Sequence, residues 1–400
     1  MLALAAWLAV RLAGAHRLSA ARERFEAEVG PLPRIIKPGG GSREPAFIQR
    51  LGGPARLPDE ADLTRIRQLL WRAPSTWSPA EVDGCRRFLA VNSSLLAASD
   101  RAAEGRGAAL PARGASAWDP ADAGRLLTRA GAQTSLLKLR IRLALRDRSF
   151  GELRRSMEAL AAEVEAFETE PGVCFGLIGL SQEKGLLQAI AWVAEERDVD
   201  RTDLAAMHRL LPHRPTAAVV RQLFAGEAGY VLAYGRPALS DADVGQVLDS
   251  YRRLSLTLEQ RRGAALEASS REPRAAAQPT TLPAALLAAT RPAFESAVEQ
   301  IAAIAAARQL AELAVDLRIA ATQECAYPET LESLPLAREP DPFTARRPRY
   351  VRDAQGGALL SNPSAAAAWD ALPHCAKTKP PPYTWRLPRP CASTALFGES

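Results

Sequence analysis

An apolar seam over residues 150–167 constrains the fold of this chain more than any other sequence feature. Its six positions, each three or four residues after the last, are Phe150, Leu153, Met157, Leu160, Val164 and Phe167. This spacing places all six side chains on one face of an α-helix, and that face needs another helix to cover it. A similar apolar stripe runs from 136 to 143, and the polar residues 146–149 separate the two stripes. The pattern predicts a helical hairpin.

Composition extends this reading to the rest of the chain. Ala and Leu are abundant and aromatic residues make up only 6%, which favours helices over sheets. Further helices are predicted around 175–196, 203–211, 216–224 and 241–260. The sequence therefore predicts a mainly α fold, with antiparallel helical hairpins in a bundle or short solenoid and a small C-terminal β-hairpin tail.

Breaks rich in Pro and Gly divide the chain into segments. Residues 1–29 are interpreted as an apolar anchor or signal segment with a stalk, 30–57 as a Pro/Gly linker and 58–267 as a helical body. A break at 268–283 precedes a long helix over 284–324. The remainder, 325–400, is predicted to form a turn and a β-hairpin tail with a disordered end. No repeat period with recurring anchor residues is present, so the pattern does not indicate tetratricopeptide repeats.

The first fifteen residues, MLALAAWLAVRLAGA, contain Arg11 as their single charge. They fit a signal-peptide core ending in small residues, although a basic segment before it is missing. They also fit a shortened membrane anchor, although a span needs about 20 apolar residues. The third interpretation is the first helix of a cytosolic domain. An anchor or export segment is favoured, which predicts the bacterial inner membrane with the body facing the periplasm, and the cytoplasm as the alternative.

The five cysteines leave the compartment open. Cys85 and Cys174 lie in helical contexts and are predicted to be small buried apolar residues. Cys325, Cys375 and Cys391 lie in the tail. In an oxidising compartment two of these three could pair, most simply Cys375 with Cys391, and an odd total leaves at least one thiol free or intermolecular.

The net charge of +6 does not indicate nucleic-acid binding. Only five of the 51 basic residues are Lys, and the Arg residues are scattered among 45 acidic residues. A basic stripe interleaved with aromatic residues, which is typical of nucleic-acid binders, is absent from the sequence. The sequence predicts no nucleic-acid partner.

Motifs for catalysis, metals and cofactors are largely missing. The sequence contains no HExxH, GxSxG, P-loop or GxGxxG motif. The run 181–184, Ser-Gln-Glu-Lys, fits the SxxK motif of serine β-lactamases, but the accompanying SDN and KTG elements beside a sheet are lacking. The acidic neighbours Glu195 and Glu196, and Glu163 and Glu165, are interpreted as exposed helix faces. Trp71, Trp77 and Trp118 are interpreted as caps on a small helical core. We therefore predict no catalytic, cofactor-binding or metal-binding residues.

The tail has the most specific residue order in the chain. Pro328 follows Tyr327 and predicts the start of a short helix that includes Leu331. Asp341 and Pro342 predict a turn, because Asp accepts hydrogen bonds from backbone N–H groups two residues on and Pro presets φ. Residues 349–352 and 358–360 are predicted to be strands around the turn 355–357. Three aromatic residues are expected to cover the hairpin and dock it on the long helix: Tyr327, Phe343 and Tyr350.

These tail residues, from 325 to 361, resemble the helix-turn-hairpin segment of type II secretion major pseudopilins. The resemblance implies a local fold and says little about activity. The prepilin-peptidase signature Gly-Phe-Thr-Leu-x-Glu is missing from the N-terminus, which implies that the chain is not processed by that route. Residues 361–364, Ser-Asn-Pro-Ser, stand where the family has an acidic calcium loop, so we predict no calcium. The whole chain is similar to uncharacterised bacterial membrane-anchored helical proteins with the same layout.

The expected function is that of a non-enzymatic, envelope-anchored scaffold or protein-interaction protein, accessory to secretion or pilus-like machinery. This link to secretion is an analogy at the level of the fold. Its expected partners are other proteins, and the membrane through the N-terminus. The alternative is an exported hydrolase whose site is assembled from residues that the sequence alone does not pair.

Overall fold

The computed structural model describes residues 2–35, 57–104, 115–116, 123–170, 172–196, 198–212, 216–235, 239–260, 281–332, 334, 339–372 and 380–390. Within these ranges the protein is mainly helical, with a small three-stranded antiparallel sheet near the C-terminus. The mainly α prediction is confirmed. The linker residues 36–56 and the break 268–280 lie outside the described ranges.

Twelve helices and five strands are found in the described residues. The helices are α1 (Leu2–Glu28), α2 (Glu60–Leu69), α3 (Pro79–Val91), α4 (Ser93–Glu104), α5 (Ala123–Arg146), α6 (Phe150–Thr169), α7 (Val173–Glu195), α8 (Arg201–Leu210), α9 (Thr216–Tyr230), α10 (Asp241–Gln260), α11 (Leu282–Glu324) and α12 (Pro363–Ala371). The strands are β1 (Arg34–Ile35), β2 (Ala115–Ser116), β3 (Arg349–Arg352), β4 (Ala358–Ser361) and β5 (Thr384–Leu387). Strands β1 and β2 form a separate parallel pair.

The apolar seam of α6 is buried between its sequence neighbours. Leu153, Met157 and Leu160 are at most 1% exposed. The short turn before α6 reverses the chain at Arg148, which has a φ of 54°. A hydrogen bond of 2.7 Å from Arg140 Nε of α5 to the Ser156 hydroxyl of α6 joins the two helices. Helix α7 then reverses again after Gly172, so α5 and α7 run in the same direction on α6.

Helix α7 lies at the centre of the helical packing. It contacts α5, α6, α8, α9 and α11, and most of its 23 residues are buried. A helix that is apolar around its whole circumference is expected in such a central position. The longest helix, α11, has 43 residues and a length of about 65 Å at 1.5 Å per residue. It packs on α7 through the buried pair of Arg308 with Glu183.

The N-terminal helix packs on α10 through its second half. Leu18, Phe25 and Val29 are buried. Two ion pairs border this contact, Arg24 with Asp249 at 2.8 Å and Arg252 with Glu28. Residues 16–29, for which the sequence suggests a stalk, are thus packed against a helix of the body. No side chain of residues 2–10 is described.

The tail contains three strands where the sequence predicts a hairpin. Strand β4 pairs with β3 and also with β5 in the order β3-β4-β5. The sequence analysis does not predict strand β5, because α12 and residues 373–379 separate it from the hairpin. The predicted helix at Pro328 is also absent from the described residues. In its place a single turn joins the Leu334 N–H to the Leu331 carbonyl at 2.9 Å.

Candidate functional site

The tail residues singled out by the sequence have structural roles. Asp341 is buried and its carboxylate organises the turn that it begins. Its Oδ1 accepts hydrogen bonds from the backbone N–H groups of Phe343 and Thr344, each at 2.8 Å. The hydroxyl of Thr344 donates to its Oδ2. Pro342 is exposed beside it. The turn is therefore internally satisfied, and its carboxylate is not displayed to a partner.

The aromatic residues of the tail motif connect the tail segments to one another. The Tyr327 hydroxyl donates to the Pro388 carbonyl at 2.8 Å, after β5, and the Tyr350 hydroxyl donates to the Pro328 carbonyl at 2.7 Å. Burial raises the pKa of Tyr327 to about 12, so its hydroxyl remains a donor at neutral pH. Phe343 is buried, as is Leu331.

Other aromatic residues carry the contact with the helices. The Tyr383 hydroxyl donates to the Ala303 carbonyl of α11 at 3.0 Å. Trp385 of β5 is fully buried, and Trp369 of α12 is 2% exposed. The sequence reading missed these three residues, although an alternating Tyr-Thr-Trp-Arg-Leu run at 383–387 is a strand signal. One face of the sheet packs against α7 and α11. The other face points outward.

The outward face of the sheet is basic and apolar. We call it the outer sheet face and define it by Arg349, Val351, Leu359 and Arg386. Val351 lies opposite Leu359, which lies opposite Arg386, so these three form one row across the sheet. Val351 is 59% exposed and Leu359 is 38% exposed. Val351 and Leu359 thus form an exposed apolar pair on an ordered sheet, beside charged residues.

Six exposed arginines lie on the strands β3 and β5 or within three residues of them. They are Arg346, Arg347, Arg349, Arg352, Arg386 and Arg389. Within the described part of the chain, no carboxylate lies within ion-pair distance of any of these six side chains. The Glu195 carboxylate offsets part of the charge, because its Oε1 accepts from the Arg386 backbone N–H at 3.5 Å and it interacts electrostatically with Arg386. The outer sheet face is therefore a cationic surface that a neighbouring carboxylate balances only in part.

A cleft of about 480 Å³ lies between α3, α4, α5 and α6, but its charges neutralise one another. Arg140 binds both carboxylate oxygens of Asp100, at 2.6 and 3.1 Å, and approaches Glu152 at 3.3 Å. Asp147 pairs with Arg86 at 2.9 Å. Bidentate Arg–carboxylate pairs are the strong ones, so little charge remains there for a ligand.

Beneath that cleft is a buried carboxyl group that the sequence reading placed on an exposed face. Glu163 is fully buried, and its Oε1 accepts from the Ser99 hydroxyl at 2.8 Å, which in turn accepts from Gln133. Burial raises the pKa of Glu163 to about 8, against the lowering effect of Ser99, Arg129 and Arg140. The interpretation of Glu163 as exposed is wrong because α4 and α5 both cover that side of α6. Glu195 and Glu196 are exposed.

A smaller cleft, of about 250 Å³, lies between α2, α5 and α7, and three of its lining residues are basic. We call it the basic cleft and define it by Arg67, Trp71, Lys138, Gln182 and Lys184. Trp71 is 55% exposed at its rim, whereas Trp77 is buried elsewhere and Trp118 lies outside the described residues. The SxxK residues 181 and 184 both line this cleft. The Lys184 ammonium lies 5.0 Å from the ring centre of Trp369 in the tail.

Three cysteines lie in the described residues, and they differ in oxidation state. Cys85 and Cys174 are free thiols. Burial raises the pKa of Cys85 to about 11, which makes its thiol inert. Cys325, at the end of α11, is disulfide-bonded. The suggested pair Cys375 and Cys391 lies outside the described residues.

The described residues contain no group of three or more His, Cys, Asp or Glu side chains placed to hold a metal ion. None of the described helices is both long enough and apolar enough to cross a bilayer. No protein-family model, curated protein or solved structure matches the chain.

Proposed function

We propose that this protein is a non-enzymatic, envelope-associated interaction protein whose outer sheet face binds an acidic surface of a partner protein. One observation carries the proposal: an exposed apolar pair, Val351 and Leu359, lies on the same sheet face as Arg349 and Arg386, whose guanidinium groups form no ion pair in the described residues. Interfaces of this kind bury a small apolar centre and use Arg at the rim for specificity.

The apolar pair and the arginines contribute differently to the free energy of binding. Covering Val351 and Leu359 contributes about 1–3 kcal/mol, taking ~25 cal/mol per Å² of apolar area. A rim ion pair contributes only about 0.2–1 kcal/mol each, but several together raise the association rate and select an acidic partner. The apolar pair then determines how long the complex lasts, and the arginines determine which surfaces are attracted.

The expected binding partner of the outer sheet face is an acidic protein. A second copy is disfavoured, because two outer sheet faces would bring Arg349 and Arg386 against their equivalents. An anionic lipid surface is also disfavoured. Membrane-bound faces usually carry large aromatic or Leu side chains on an amphipathic helix, whereas this face is a short sheet with Val351 and Leu359.

The envelope location is part of the proposal and rests on two features. The first fifteen residues have one charge. Cys325 is disulfide-bonded, and structural disulfides persist mainly in oxidising compartments. We therefore propose anchoring at the bacterial inner membrane with the body in the periplasm. We also propose an accessory role in secretion or pilus-like machinery. The resemblance of the tail to major pseudopilins is the support for this role.

Photocrosslinking in living cells tests the outer sheet face. A photoreactive amino acid at Val351 is expected to give a discrete adduct whose yield falls as salt is raised. The double variant Arg349→Glu/Arg386→Glu should abolish the adduct, and mass spectrometry should place the crosslink in an acidic segment. The matched control puts the same probe at Val91 on α3, which is 82% exposed.

Three results would contradict the proposal. The first is an equal adduct from Val91, and the second is an adduct that survives the charge reversal. The third is salt-sensitive binding of the purified protein to phosphatidylglycerol vesicles that the charge reversal removes, together with no protein adduct. Protease treatment of intact spheroplasts tests the location separately, because a periplasmic body is digested from outside and a cytoplasmic one is protected.

One observation favours the second candidate, an exported hydrolase: Ser181 and Lys184 of the SxxK run line the same cleft. Nucleophilic catalysis needs the Lys amine within hydrogen-bond reach of the Ser hydroxyl. The Lys184 ammonium lies over the ring of Trp369 instead, and the described residues include no strand beside the cleft. Labelling of Ser181 by a fluorophosphonate, lost in Ser181→Ala, would support a hydrolase and contradict the non-enzymatic proposal.

A further inference from the structure

The C-terminal sheet leaves the edge of strand β3 open. Strand β4 is central, because β3 and β5 pair on its two sides. Strand β5 lies against α7, whereas no described helix packs closely on β3. Val351 within β3 is 59% exposed. The edge of β3 that faces away from β4 is therefore accessible to another chain.

The register determines which backbone groups of β3 point away from β4. The Asp353 N–H donates to the Gly357 carbonyl at 3.0 Å, and this hydrogen-bonded pair continues the register of β3 with β4. Hydrogen-bonded pairs alternate with non-bonded pairs in an antiparallel ladder. Tyr350 and Arg352 therefore occupy non-bonded positions, and their N–H and C=O groups point outward. Neither of these two N–H groups donates to another described residue.

Strand β5 follows the same alternation, but its edge is partly occupied. The Asn362 N–H donates to the Tyr383 carbonyl at 2.8 Å, which makes Arg386 a non-bonded position of the β4–β5 ladder. The Arg386 N–H accordingly points away from β4, and the Glu195 carboxylate of α7 accepts from it at 3.5 Å. Among the described residues no such side chain reaches the outward N–H groups of β3.

The open edge is strongly basic. Four of the seven residues from 346 to 352 are arginines, and all four are exposed. In the part of the chain that the structure describes, none of the four guanidinium groups forms an ion pair. Charged residues on an edge strand oppose pairing with a strand of the same charge, so two arginine-rich edges repel each other. An acidic strand is attracted instead.

We propose that the acidic partner adds an extended segment to the β3 edge as a fourth strand of the sheet. This inference rests on the proposed function, because it names the part of the partner that binds. Main-chain hydrogen bonds with Tyr350 and Arg352 supply the affinity of such a strand. Arg349 and Arg352 flank the apolar side chains of Tyr350 and Val351, so cross-strand pairing favours a segment ordered acidic, apolar, apolar, acidic. This order reads the same in both directions and suits a parallel or an antiparallel strand.

NMR with a defined peptide tests strand addition. The peptide acetyl-Ser-Thr-Glu-Val-Val-Glu-Thr-Ser-amide is titrated into the full-length protein with isotope-labelled tyrosine, and Tyr350→Phe identifies one of the six backbone signals. We expect the Tyr350 N–H signal to move downfield and its exchange with solvent to slow. The control peptide acetyl-Val-Thr-Ser-Glu-Glu-Ser-Thr-Val-amide has the same composition in another order. It should bind about fivefold more weakly, because its carboxylates do not reach both arginines.

The variants Arg352→Pro and Arg352→Ala separate backbone pairing from charge. Both remove the guanidinium group, but only proline also removes the outward N–H. Proline is tolerated on an edge strand whose N–H faces solvent, so the sheet should form in both variants. Arg352→Ala should weaken peptide binding about twofold to fivefold. Arg352→Pro should weaken it by a further factor of about three to ten.

A modified peptide tests backbone pairing without changing the protein. N-methylation of its two Glu and two Val residues keeps the charges but removes the N–H donors and places methyl groups along both peptide edges. This peptide should not bind the wild type. Binding as tight as that of the unmodified peptide would overturn strand addition.

Crosslinking in cells separates this inference from the proposed function. Photocrosslinks from Val351 should be weaker in Arg352→Pro than in Arg352→Ala. Equal adducts in the two variants would overturn strand addition and leave the acidic partner of the outer sheet face in place. The absence of any adduct from Val351 in the wild type would contradict the proposed function, and this inference with it. Dimers of the wild-type protein that Arg352→Pro abolishes would show that the edge binds a second copy, contrary to the inference.

Discussion

At the scale of single residues, Glu163 is predicted to make stability depend on pH. Burial raises its pKa to about 8, so the folded state holds a proton that the unfolded chain releases near its ordinary value of 4.5. Between these two values the folded state binds more protons, and the free energy of unfolding therefore falls as pH rises. Below about pH 4.5 both states are protonated and this loss is absent.

The Glu163→Gln variant should remove this dependence. The amide imitates the neutral carboxyl group and can still accept from Ser99. We expect urea unfolding near pH 9 to show the variant about 1–3 kcal/mol more stable than the wild type, with little difference near pH 5. Glu158→Gln is the control, because Glu158 lies exposed on the same helix. An equal effect of both substitutions would mean that net charge, and not the buried carboxyl group, sets the dependence.

Residue-level predictions from the sequence succeed only where a short local pattern decides the outcome. The turn at Asp341 is local, since Asp341 and the groups that it binds lie within five residues. The burial of Glu163 and Gln182 depends on helices distant in the sequence. Nothing in the neighbouring residues of Gln182 indicates that α2 and α5 will enclose it. These two residues are therefore features that a single sequence does not reveal.

At the scale of elements, the crossing of α5 with α7 depends on Gly185. An added Cβ would meet the short, branched side chain of Thr134 at 2.9 Å, so one helix must move. We expect Gly185→Ala to lower the free energy of unfolding by about 1–3 kcal/mol, which is typical of overpacking. Thermal and urea unfolding measure this change.

Gly151→Ala is the matched control on α6. A Cβ at Gly151 meets nothing within 4 Å, and Ala favours helix over Gly by roughly 0.5–1 kcal/mol. This variant should therefore be more stable than the wild type. Destabilisation by both substitutions would show that the helix crossing is not the cause. If Gly185→Ala is as stable as Gly151→Ala, the close approach of α5 and α7 is not a constraint.

The sequence predicts whether a segment is a helix or a strand better than it predicts which other element that segment pairs with. The periodic run 150–167 predicts a helix because each apolar side chain recurs on one face, and α6 covers Phe150–Thr169. The strand β5 has a clear alternation too, but its partner β4 lies across α12. Pairing between distant segments depends on tertiary packing, which local periodicity does not contain.

At the scale of the whole molecule, α1 is expected to contribute to the stability of the body. Phe25 is fully buried in the contact with α10, and Leu18 and Val29 are buried beside it. Phe25→Ala should lower the free energy of unfolding by about 3–5 kcal/mol, as is usual for emptying a large buried site. Arg22→Ala on the exposed side of α1 should change it by less than about 0.5 kcal/mol.

Equal stability of Phe25→Ala and the wild type would mean that residues 16–29 are detached from the body, as a free stalk would be. The sequence favours such a stalk because the residues 16–29 are rich in charge. It gives no sign that Asp249 and Arg252, more than 200 residues away, supply the matching charges on α10.

The oxidation state of Cys325 connects the fold of the whole molecule to its compartment. Cys325, directly after α11, is disulfide-bonded. A disulfide typically stabilises a protein by about 2–4 kcal/mol through the unfolded state. A reducing agent should therefore lower the melting temperature of the wild type, and it should have no such effect on Cys325→Ser. Cys174→Ser should retain the response to the reducing agent, because Cys174 is a free thiol.

The same cysteine reports on location inside the cell. Cells quenched in acid are denatured with N-ethylmaleimide, then reduced and labelled with iodoacetamide, and each cysteine is read by mass spectrometry. An exported body predicts iodoacetamide on Cys325 and N-ethylmaleimide on Cys85 and Cys174. N-ethylmaleimide on Cys325 would show a reduced thiol in the cell. Since reducing compartments prevent structural disulfides, that result would contradict the periplasmic location while leaving the outer sheet face as a separate question.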